Sequence, residues 1–407
     1  MRKHDRFLVN MQSEEFKRWQ FVVLSLVLMI CLGTIYSYSI FRLSIETYFS
    51  VNTTLSGLPY MFALVFYAMS MYVSGRFINR FNPRLTICIG GIIVALGYIL
   101  SSFATNIIIL TLTYGVIGGI GVGVIYGVPI QYANLWFEKQ RGLIVGIILV
   151  GFGISPLISA PLVLNLVEVY GLMKSFRIIG LVFLIIILLI GVIIPLKNSD
   201  FKINVSEIAQ SPIVIIHSLE FKGLYINFVI GSMIGLMLVG LTSKVAIDFF
   251  RIDNKSIAML MAFFAILNGL GRPLFGFLVD HFSIRFAMLM SYGMIVFSSI
   301  ILLIFGQANQ FIFILTFSIF WLNLGAWLSI APSATRILFG SMNYSKNYGI
   351  VFSGYGIGAI LGILTSGIIM DYFQSFQLIF LFILVISLIG IVLTFKLIKK
   401  SGTKSTF

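Results

Sequence analysis

The sequence predicts an all-α integral membrane protein with twelve transmembrane helices in two six-helix pseudo-repeats and both termini in the cytoplasm. Three observations predict this fold class: the composition, the long stretches without charged residues, and a repeat between the two halves. Of the 407 residues, 59% are hydrophobic and only 10% are charged. A soluble domain has about 45–50% apolar and about 25% charged residues. This composition therefore excludes a soluble enzyme, a disordered chain and a nucleic-acid-binding protein.

Six membrane spans are predicted in the first half of the chain. A helix that crosses a bilayer needs about 20 apolar residues. The stretches of the first half that are free of Asp, Glu, Lys and Arg cover residues 21–41, 47–75, 85–137, 142–167 and 178–196. The third stretch has 53 residues, which is enough for two spans. Polar residues between Ser101 and Asn106 divide it.

The second half repeats this arrangement after a polar segment. Its charge-free stretches cover residues 223–243, 256–279 (interrupted by Arg272), 286–335, 347–370 and 372–395. The third of these divides near residues 306–310, which gives six further spans. The predicted organisation is a six-helix bundle with a short tail over 1–196, a cytoplasmic connector over 197–222, and a second bundle with a basic tail over 223–407.

The distribution of basic residues predicts the orientation in the membrane. Lys and Arg are enriched in cytoplasmic loops of membrane proteins. Twenty Lys and Arg residues lie on the side of the two termini, and six are assigned to the opposite side. Those six are Arg42, Lys174, Arg177, Lys244, Arg251 and Lys255. The imbalance predicts cytoplasmic termini in the cell (plasma) membrane.

Two segments of the first half recur in the second half. Gly75 to Arg84, between spans 2 and 3, aligns with Gly276 to Arg285 at an offset of 201 residues, with Asn79 opposite Asp280. The stretch 146–154 in span 5 aligns with 349–357 in span 11 at an offset of 203 residues. Parallel repeats of this kind bind substrate near the membrane midplane, between the halves.

Arg272 is a charged residue near the middle of span 8. An arginine at that depth costs about 2.5–3.5 kcal/mol on translocon scales. The acidic residues lie near span ends, so none is placed to pair with it. A structural role, by snorkelling or pairing, remains an alternative to binding an anionic substrate, which a guanidinium does by two parallel hydrogen bonds. Asn268, four residues earlier on the same face, is predicted to donate to that anion or to bond a neighbouring helix.

Aromatic residues complete the candidate site. Tyr36, Tyr126, Trp327 and Tyr355 lie in spans 1, 4, 10 and 11, which line the cavity of a two-repeat carrier. Their polar atoms can bond a carboxylate, although packing is the alternative for each. Because no carboxylate lies in mid-membrane, facilitated transport or anion exchange is favoured over carboxylate-mediated proton symport, with protons kept as a possible coupling ion. No cofactor, metal site or nucleic-acid partner is indicated, and a monomer is expected.

The repeated loop resembles the signature of the major facilitator superfamily. Gly75 and Arg84 match its first copy, with Asn79 between them, and Gly276, Asp280 and Arg285 match the echo in the second half. The resemblance implies a conformational or gating role for these six residues. Asn79 replaces the usual Asp of the first copy, which implies a weaker cytoplasmic latch there.

A narrower resemblance is to the oxalate/formate antiporter family, relatives of monocarboxylate transporters. It rests on residues 33–41, 126–129, 136–143, 268–273 and 347–352. The family's span-8 arginine binds substrate carboxylate, which implies this role for Arg272. The oxalate exchanger has a second cation, a lysine in span 11, where this chain has Tyr355. One cation in place of two favours a monoanion over a dianion.

The sequence therefore predicts a transporter of small organic anions, most readily monocarboxylates such as formate, lactate or pyruvate. It would work by alternating access between two bundles, with lipid as its surroundings. Two alternatives remain open. An oxalate-type dicarboxylate exchanger would need a further cation, and a drug or metabolite exporter of the same fold would make Arg272 structural.

Overall fold

The computed structural model describes residues 3–77, 82–137, 141–195, 215–305, 309–340 and 344–398. Within these ranges, twelve helical segments are long and apolar enough to cross a membrane. The predicted fold class and number of spans are confirmed. We number the spans 1–12 in chain order and call spans 1–6 the first half and spans 7–12 the second half. The structure does not test the orientation of the termini.

Several spans contain more than one helical segment. In the first half, span 1 combines α1 (Lys3–Leu32), a 3₁₀ turn (Gly33–Ser37) and α2 (Tyr38–Phe49). Spans 2 and 3 are α3 (Thr53–Phe77) and α4 (Pro83–Ser101), and span 4 combines α5 (Ile107–Leu110), a π-helix (Thr111–Gly118) and α6 (Gly119–Trp136). Spans 5 and 6 are α7 (Arg141–Tyr170) and α8 (Leu172–Ile193). In the second half, span 7 combines α9 (Leu219–Lys244) and a π-helix (Val245–Phe249), and spans 8–12 are α10 (Asn254–His281), α11 (Ile284–Phe305), α12 (Gln310–Phe339), α13 (Tyr344–Phe373) and α14 (Phe376–Leu397).

Short polar side chains begin many of these helices. A capping oxygen accepts a hydrogen bond from one of the first backbone N–H groups, which have no partner inside the helix. The residues that cap in this way are Asn82, Asn106, Ser218, Asp253, Asn309 and Ser375. The hydrogen bonds from the Ser256 hydroxyl and backbone also lower the pKa of Asp253 below its usual value. The predicted divisions near Ser101–Asn106 and 306–310 coincide with two of these capped starts.

Spans 1 and 7 are longer than the sequence predicted. The predicted spans 21–41 and 223–243 become Glu14–Phe49 and Leu219–Phe249. Arg42, which the sequence assigned to the side opposite the termini, lies inside α2 with its side chain 1% exposed. The charge-free criterion ended both spans too early, since the charged residues at their ends are paired with one another.

The two halves meet along spans 2 and 11 and along spans 5 and 8. Glycines allow close contact there. A Cβ atom on Gly153 would lie 3.2 Å from the backbone of Gly269, and one on Gly356 would lie 3.3 Å from Ala68 Cβ. The predicted connector 197–222 lies largely outside the described residues, and the predicted division into two domains remains an expectation.

Candidate functional site

Arg272 lies between the halves, in span 8 where it faces span 5. Its side chain is buried, and the residue is 3% exposed. Nη1 donates a hydrogen bond to the backbone carbonyl of Leu149 at 2.5 Å. Nε and Nη2 are buried without a hydrogen-bond partner in the part of the chain that the structure describes. These two nitrogens form one edge of the planar guanidinium, so its fixed orientation leaves a two-donor edge free to bind an anion.

Asn268 lies one helical turn before Arg272 and is 0% exposed. Neither its amide nitrogen nor its amide oxygen has a hydrogen-bond partner among the described residues. The span-5 residue facing it is Gly153, where a Cβ atom would lie 2.9 Å from Asn268 Oδ1. The bond to a neighbouring helix, which the sequence left as an alternative, is therefore not made within the described ranges.

Tyr36 lies on the 3₁₀ turn that interrupts span 1. The turn packs closely on span 5, because a Cβ atom on Gly33 would overlap the backbone carbonyl of Phe152. The hydroxyl of Tyr36 is 2.7 Å from the hydroxyl of Tyr355 in span 11, and both side chains are buried. A hydroxyl–hydroxyl hydrogen bond thus joins the two halves, although the two residues are 319 positions apart in sequence.

Tyr126 is the third predicted tyrosine, and it neighbours the Arg272 guanidinium. Tyr67 of span 2 contacts both Tyr126 and Tyr355, with ring centroids 5.1 and 6.0 Å apart. Phe152 packs against Tyr36 and Tyr126 at 5.2 and 5.4 Å. The sequence analysis missed Tyr67 and Phe152. The available signal for Tyr67 was a polar aromatic residue in the middle of span 2.

Trp327 does not join this aromatic group in the structure. Its indole ring packs directly on Gly231 of span 7 and occupies the place that a Cβ atom at residue 231 would take. Its ring centroid is 5.2 Å from that of Tyr292 in span 9. These contacts lie within the second half, and the substrate-binding role of Trp327 stays a prediction.

The predicted gating residues make contacts inside their own halves. Arg84 donates to the carbonyl of Ile194 at 3.2 Å. Asp280 pairs with Arg336 at 3.3 Å, and both side chains are about half exposed. The Arg285 guanidinium lies 4.5 Å from the Phe395 ring centroid. Gly276 faces Ser329, whose hydroxyl would be 2.9 Å from an added Cβ. Gly75 lies in α3, and Asn79 lies outside the described residues.

A polar cluster joins the halves at the end of the bundle away from both termini, which we call the distal end. Lys244 of span 7 forms an ion pair of 2.6 Å with Glu46 of span 1. Arg42 donates to the carbonyls of Gly240 and Thr53 at 2.9 and 2.6 Å. The Ser56 hydroxyl accepts from Arg42 at 3.1 Å and donates to Glu46 at 2.8 Å. Each buried charge therefore has partners, which offsets the cost of removing it from water.

Asp371, at the end of span 11, completes this distal cluster, which we define as Arg42, Glu46, Ser56, Lys244 and Asp371. A cavity of about 690 Å³ lies beside it at the distal end, with Glu46, Lys244, Asp248 and Asp371 among its lining residues. Three members of the distal cluster, Glu46, Lys244 and Asp371, therefore line this cavity.

Comparison with protein families gives a match over most of the chain. The model described as "Major Facilitator Superfamily" matches residues 23–341. The chain is 25% identical over 349 residues to the "Uncharacterized MFS-type transporter YhjX" of Escherichia coli (strain K12), covering 84% of this chain and 86% of that protein. It is also 25% identical over 369 residues to the "Oxalate:formate antiporter" of Oxalobacter formigenes, covering 85% and 83%.

A shorter match and a structural match complete the comparison. "Monocarboxylate transporter 9" of Gallus gallus is 36% identical over 123 residues, which is 30% of this chain and 24% of that protein. The crystal structure of nucleoside transporter NupG superposes with a TM-score of 0.75 at 12% identity, covering 94% of this chain and 100% of that one. At this identity the structural match supports the fold alone.

Proposed function

We propose that this chain, which belongs to the Major Facilitator Superfamily, transports small monocarboxylates across the membrane, with Arg272 binding the carboxylate. The superfamily match makes it a multi-pass membrane transporter. The oxalate:formate antiporter and the monocarboxylate transporter among its relatives support an organic anion as substrate.

The free edge of Arg272 is the observation that carries this proposal. An unpaired charge inside a membrane protein is costly, and here Nε and Nη2 make no hydrogen bond of their own within the described residues, with the Tyr126 phenol as a neighbour. A carboxylate has two oxygens at the spacing that this edge matches. The bond from Nη1 to Leu149 O fixes the guanidinium, so little ordering is left to the moment of binding.

The charge of the proposed site favours a monoanion. Asn268, Tyr36, Tyr126 and Tyr355 are neutral. The cations Arg42 and Lys244, whose side chains are 1% and 13% exposed, are paired in the distal cluster. A dicarboxylate would leave its second charge beside uncharged groups in a buried place. Exchange of oxalate for formate, as in the name of one relative, is therefore the second candidate.

Transport would proceed by alternating access between the bundles 1–196 and 223–407, linked by the connector 197–222. The hydrogen bond between Tyr36 and Tyr355 and the distal cluster support alternating access, because both join residues of different halves. The residues Gly75, Asn79, Arg84, Gly276, Asp280 and Arg285 are proposed to control the cytoplasmic end. We also propose cytoplasmic termini, a monomer, and placement in the plasma membrane.

Uptake into proteoliposomes tests the proposal. Purified protein is reconstituted, and uptake of labelled formate, lactate, pyruvate and oxalate is measured with and without an imposed pH gradient. We expect uptake of monocarboxylates that unlabelled internal substrate stimulates. Uptake of oxalate alone would favour the second candidate, and uptake of none would turn the proposal toward export of another substrate. A response to the pH gradient would identify protons as the coupling ion.

A further inference from the structure

Span 5 presents two serines to the interrupted part of span 1. The 3₁₀ turn of span 1 covers Gly33–Ser37 and includes Tyr36. Ser155 and Ser159 lie four residues apart on α7, so their side chains share one face of span 5. Both serines are buried. A buried hydroxyl group needs a hydrogen-bond partner, and each of these two hydroxyls bonds an atom of span 1.

Ser155 holds the start of the turn. Its hydroxyl donates a hydrogen bond to the backbone carbonyl of Ile30 at 2.6 Å. Ile30 lies in the last turn of α1, where the carbonyls no longer meet the donors that a continuing α-helix would supply. A hydroxyl group of a neighbouring span therefore pairs with a carbonyl at the junction between α1 and the 3₁₀ turn.

Ser159 holds the end of the turn. Its hydroxyl oxygen is 2.6 Å from that of Ser37, and it donates to the backbone carbonyl of Ser155 at 3.0 Å. A hydroxyl group has one proton to donate. Because the proton of Ser159 is directed to the carbonyl of Ser155, Ser37 is the donor in the hydrogen bond between the spans. Ser37 directly follows Tyr36, so this bond fixes the backbone beside the site tyrosine.

A proline and a glycine bring the two backbones together at the same place. Pro156 has no N–H group, so the carbonyl of Phe152 lacks the donor that a regular helix places four residues later. Gly33 lies against this carbonyl, which a Cβ atom would overlap. The ring of Phe152 packs edge-on against that of Tyr36, with centroids 5.2 Å apart. Span 5 thus contacts the first residue of the turn, its last residue and Tyr36.

We propose that Ser155 and Ser159 are positioning residues, which hold this turn so that the Tyr36 hydroxyl lies beside that of Tyr355. The inference rests on the proposed function, because Tyr36 belongs to the proposed site. Both serines act through span 1 and not on the substrate itself. The turn belongs to the first half and Tyr355 to the second half. The serines therefore set the geometry of a contact between the halves from inside one of them.

Removing one hydroxyl group tests the proposal. Ser159→Ala loses the hydrogen bond to Ser37, and we expect it to lower kcat/KM for monocarboxylate uptake about threefold. Ser37→Ala removes the same hydrogen bond from the other span and should lower kcat/KM equally. It serves in place of Ser159→Ala where that variant fails to fold. Wild-type kcat/KM in both variants would overturn the proposal.

Two further variants separate the hydroxyl group from the space that it fills. Ser159→Thr keeps the hydroxyl and should retain kcat/KM within about twofold of wild type. A loss as large as that of Ser159→Ala would overturn the proposal. Ser25→Ala is the matched control, because Ser25 of span 1 is equally buried and its hydroxyl has no hydrogen-bond partner among the described residues. We expect this control to transport like wild type.

A double variant separates the positioning of Tyr36 from a general structural role. If Ser159 acts through Tyr36, the double variant Ser159→Ala, Tyr36→Phe should transport no worse than Tyr36→Phe alone. A structural role elsewhere would add its own loss to that of Tyr36→Phe. Additive losses in kcat/KM would therefore overturn the proposal.

Thermal unfolding applies the same test without a substrate. Both single changes weaken the hydrogen bond to Tyr355, so together they should lower the thermal midpoint of the purified protein by less than the sum of their separate effects. Additive changes in the midpoint would overturn the inference. If the wild-type protein takes up no monocarboxylate, the proposed function fails, and the midpoints alone then decide whether Ser159 positions Tyr36.

Discussion

The carboxylate of Asp371 caps a helix that belongs to the other half of the protein. Its two oxygens accept hydrogen bonds from the backbone N–H groups of Thr53 and Thr54, at 2.8 and 2.9 Å. These groups begin span 2, where the helix dipole favours a negative charge. The first N–H groups of span 2 are thus paired with a carboxylate at the end of span 11, and these hydrogen bonds break if the distal end opens.

Asp371→Asn weakens this cross-half cap. The amide has one oxygen and no charge, so one of the two hydrogen bonds and the charge–dipole attraction are lost, at about 1 kcal/mol. We expect the distal end to open about fivefold more often. Ser243 of α9 is buried and its hydroxyl bonds that of Ser39 in span 1. The measurement is the rate at which a membrane-impermeant thiol reagent labels the side chain of Ser243→Cys.

A matched control for this substitution is Asp248→Asn. Asp248 lies near Lys244 at 3.7 Å in the same half and is 43% exposed. Its neutralisation removes a carboxylate from the same cavity without breaking a contact between the halves. Equal labelling rates in the two variants would contradict the cross-half role of Asp371.

The two partners of the distal ion pair are expected to respond unequally to neutralisation. Glu46→Gln removes the carboxylate that Arg42 and Lys244 share and leaves Lys244 only the half-exposed Asp248 at 3.7 Å, whereas Lys244→Met leaves Glu46 beside Arg42 at 3.7 Å. An uncompensated buried charge is costlier than a lost pair. Glu46→Gln should lower the thermal midpoint of the purified protein by several degrees more than Lys244→Met. Equal midpoints would indicate that Arg42 does not depend on Glu46.

Arg272→Lys tests the shape of the carboxylate site rather than its charge. Lysine keeps the positive charge but replaces the planar two-donor edge by a single ammonium group. We expect a loss of at least about tenfold in kcat/KM for monocarboxylate uptake. Full activity of this variant would indicate that charge alone suffices, or that the residue is structural.

The hydroxyl pair between Tyr36 and Tyr355 gives a coupled prediction. Tyr36→Phe and Tyr355→Phe each remove the same hydrogen bond, so the double variant should transport no worse than the more impaired single variant. Each single variant is expected to lower kcat/KM by about fivefold. Tyr60→Phe is the control, because its buried hydroxyl has no hydrogen-bond partner among the described residues. Additive effects of the two single changes would show that the hydroxyls act separately.

Two glycines of span 5 provide a test of the contact with Asn268. A methyl group at Gly153 would meet Asn268 Oδ1 at 2.9 Å, whereas at Gly146 it would meet nothing within 4 Å. Gly153→Ala should therefore reduce uptake about tenfold by displacing the amide or separating the spans. Gly146→Ala should leave uptake unchanged. Similar uptake by both variants would show that transport does not require the close contact between Gly153 and Asn268.

Much of the architecture follows from the sequence, because a bilayer imposes a minimum length on apolar stretches. The twelve spans and the divisions near Ser101 and 306–310 were predictable on that basis. The ends of spans 1 and 7 were not. Arg42 and Lys244 come directly after charge-free stretches, and only the folded chain brings Lys244 of span 7 to the Arg42–Glu46 pair of span 1.

The candidate site was predictable where a residue is unusual for a membrane and unpredictable where it is common. Arg272 stands out because a charge at that depth is rare, and Asn268 follows from helix periodicity. Aromatic residues are abundant in this chain, so nothing local separates Tyr67, which contacts two site tyrosines, from Trp327, which packs inside the second half. Their assignment depends on which spans face one another.

The 3₁₀ turn at Gly33–Ser37 gives span 1 a torsional element between the central site and the distal end. A 3₁₀ helix advances 120° and about 2.0 Å per residue, against 100° and about 1.5 Å in an α-helix. Winding these five residues into α-helix would turn α2 by about 100° and shorten the span by about 2.5 Å. Because Tyr36 lies on this turn and Arg42 and Glu46 lie just beyond it, a local change of pitch would withdraw the Tyr36 hydroxyl and rotate both distal charges in a single movement.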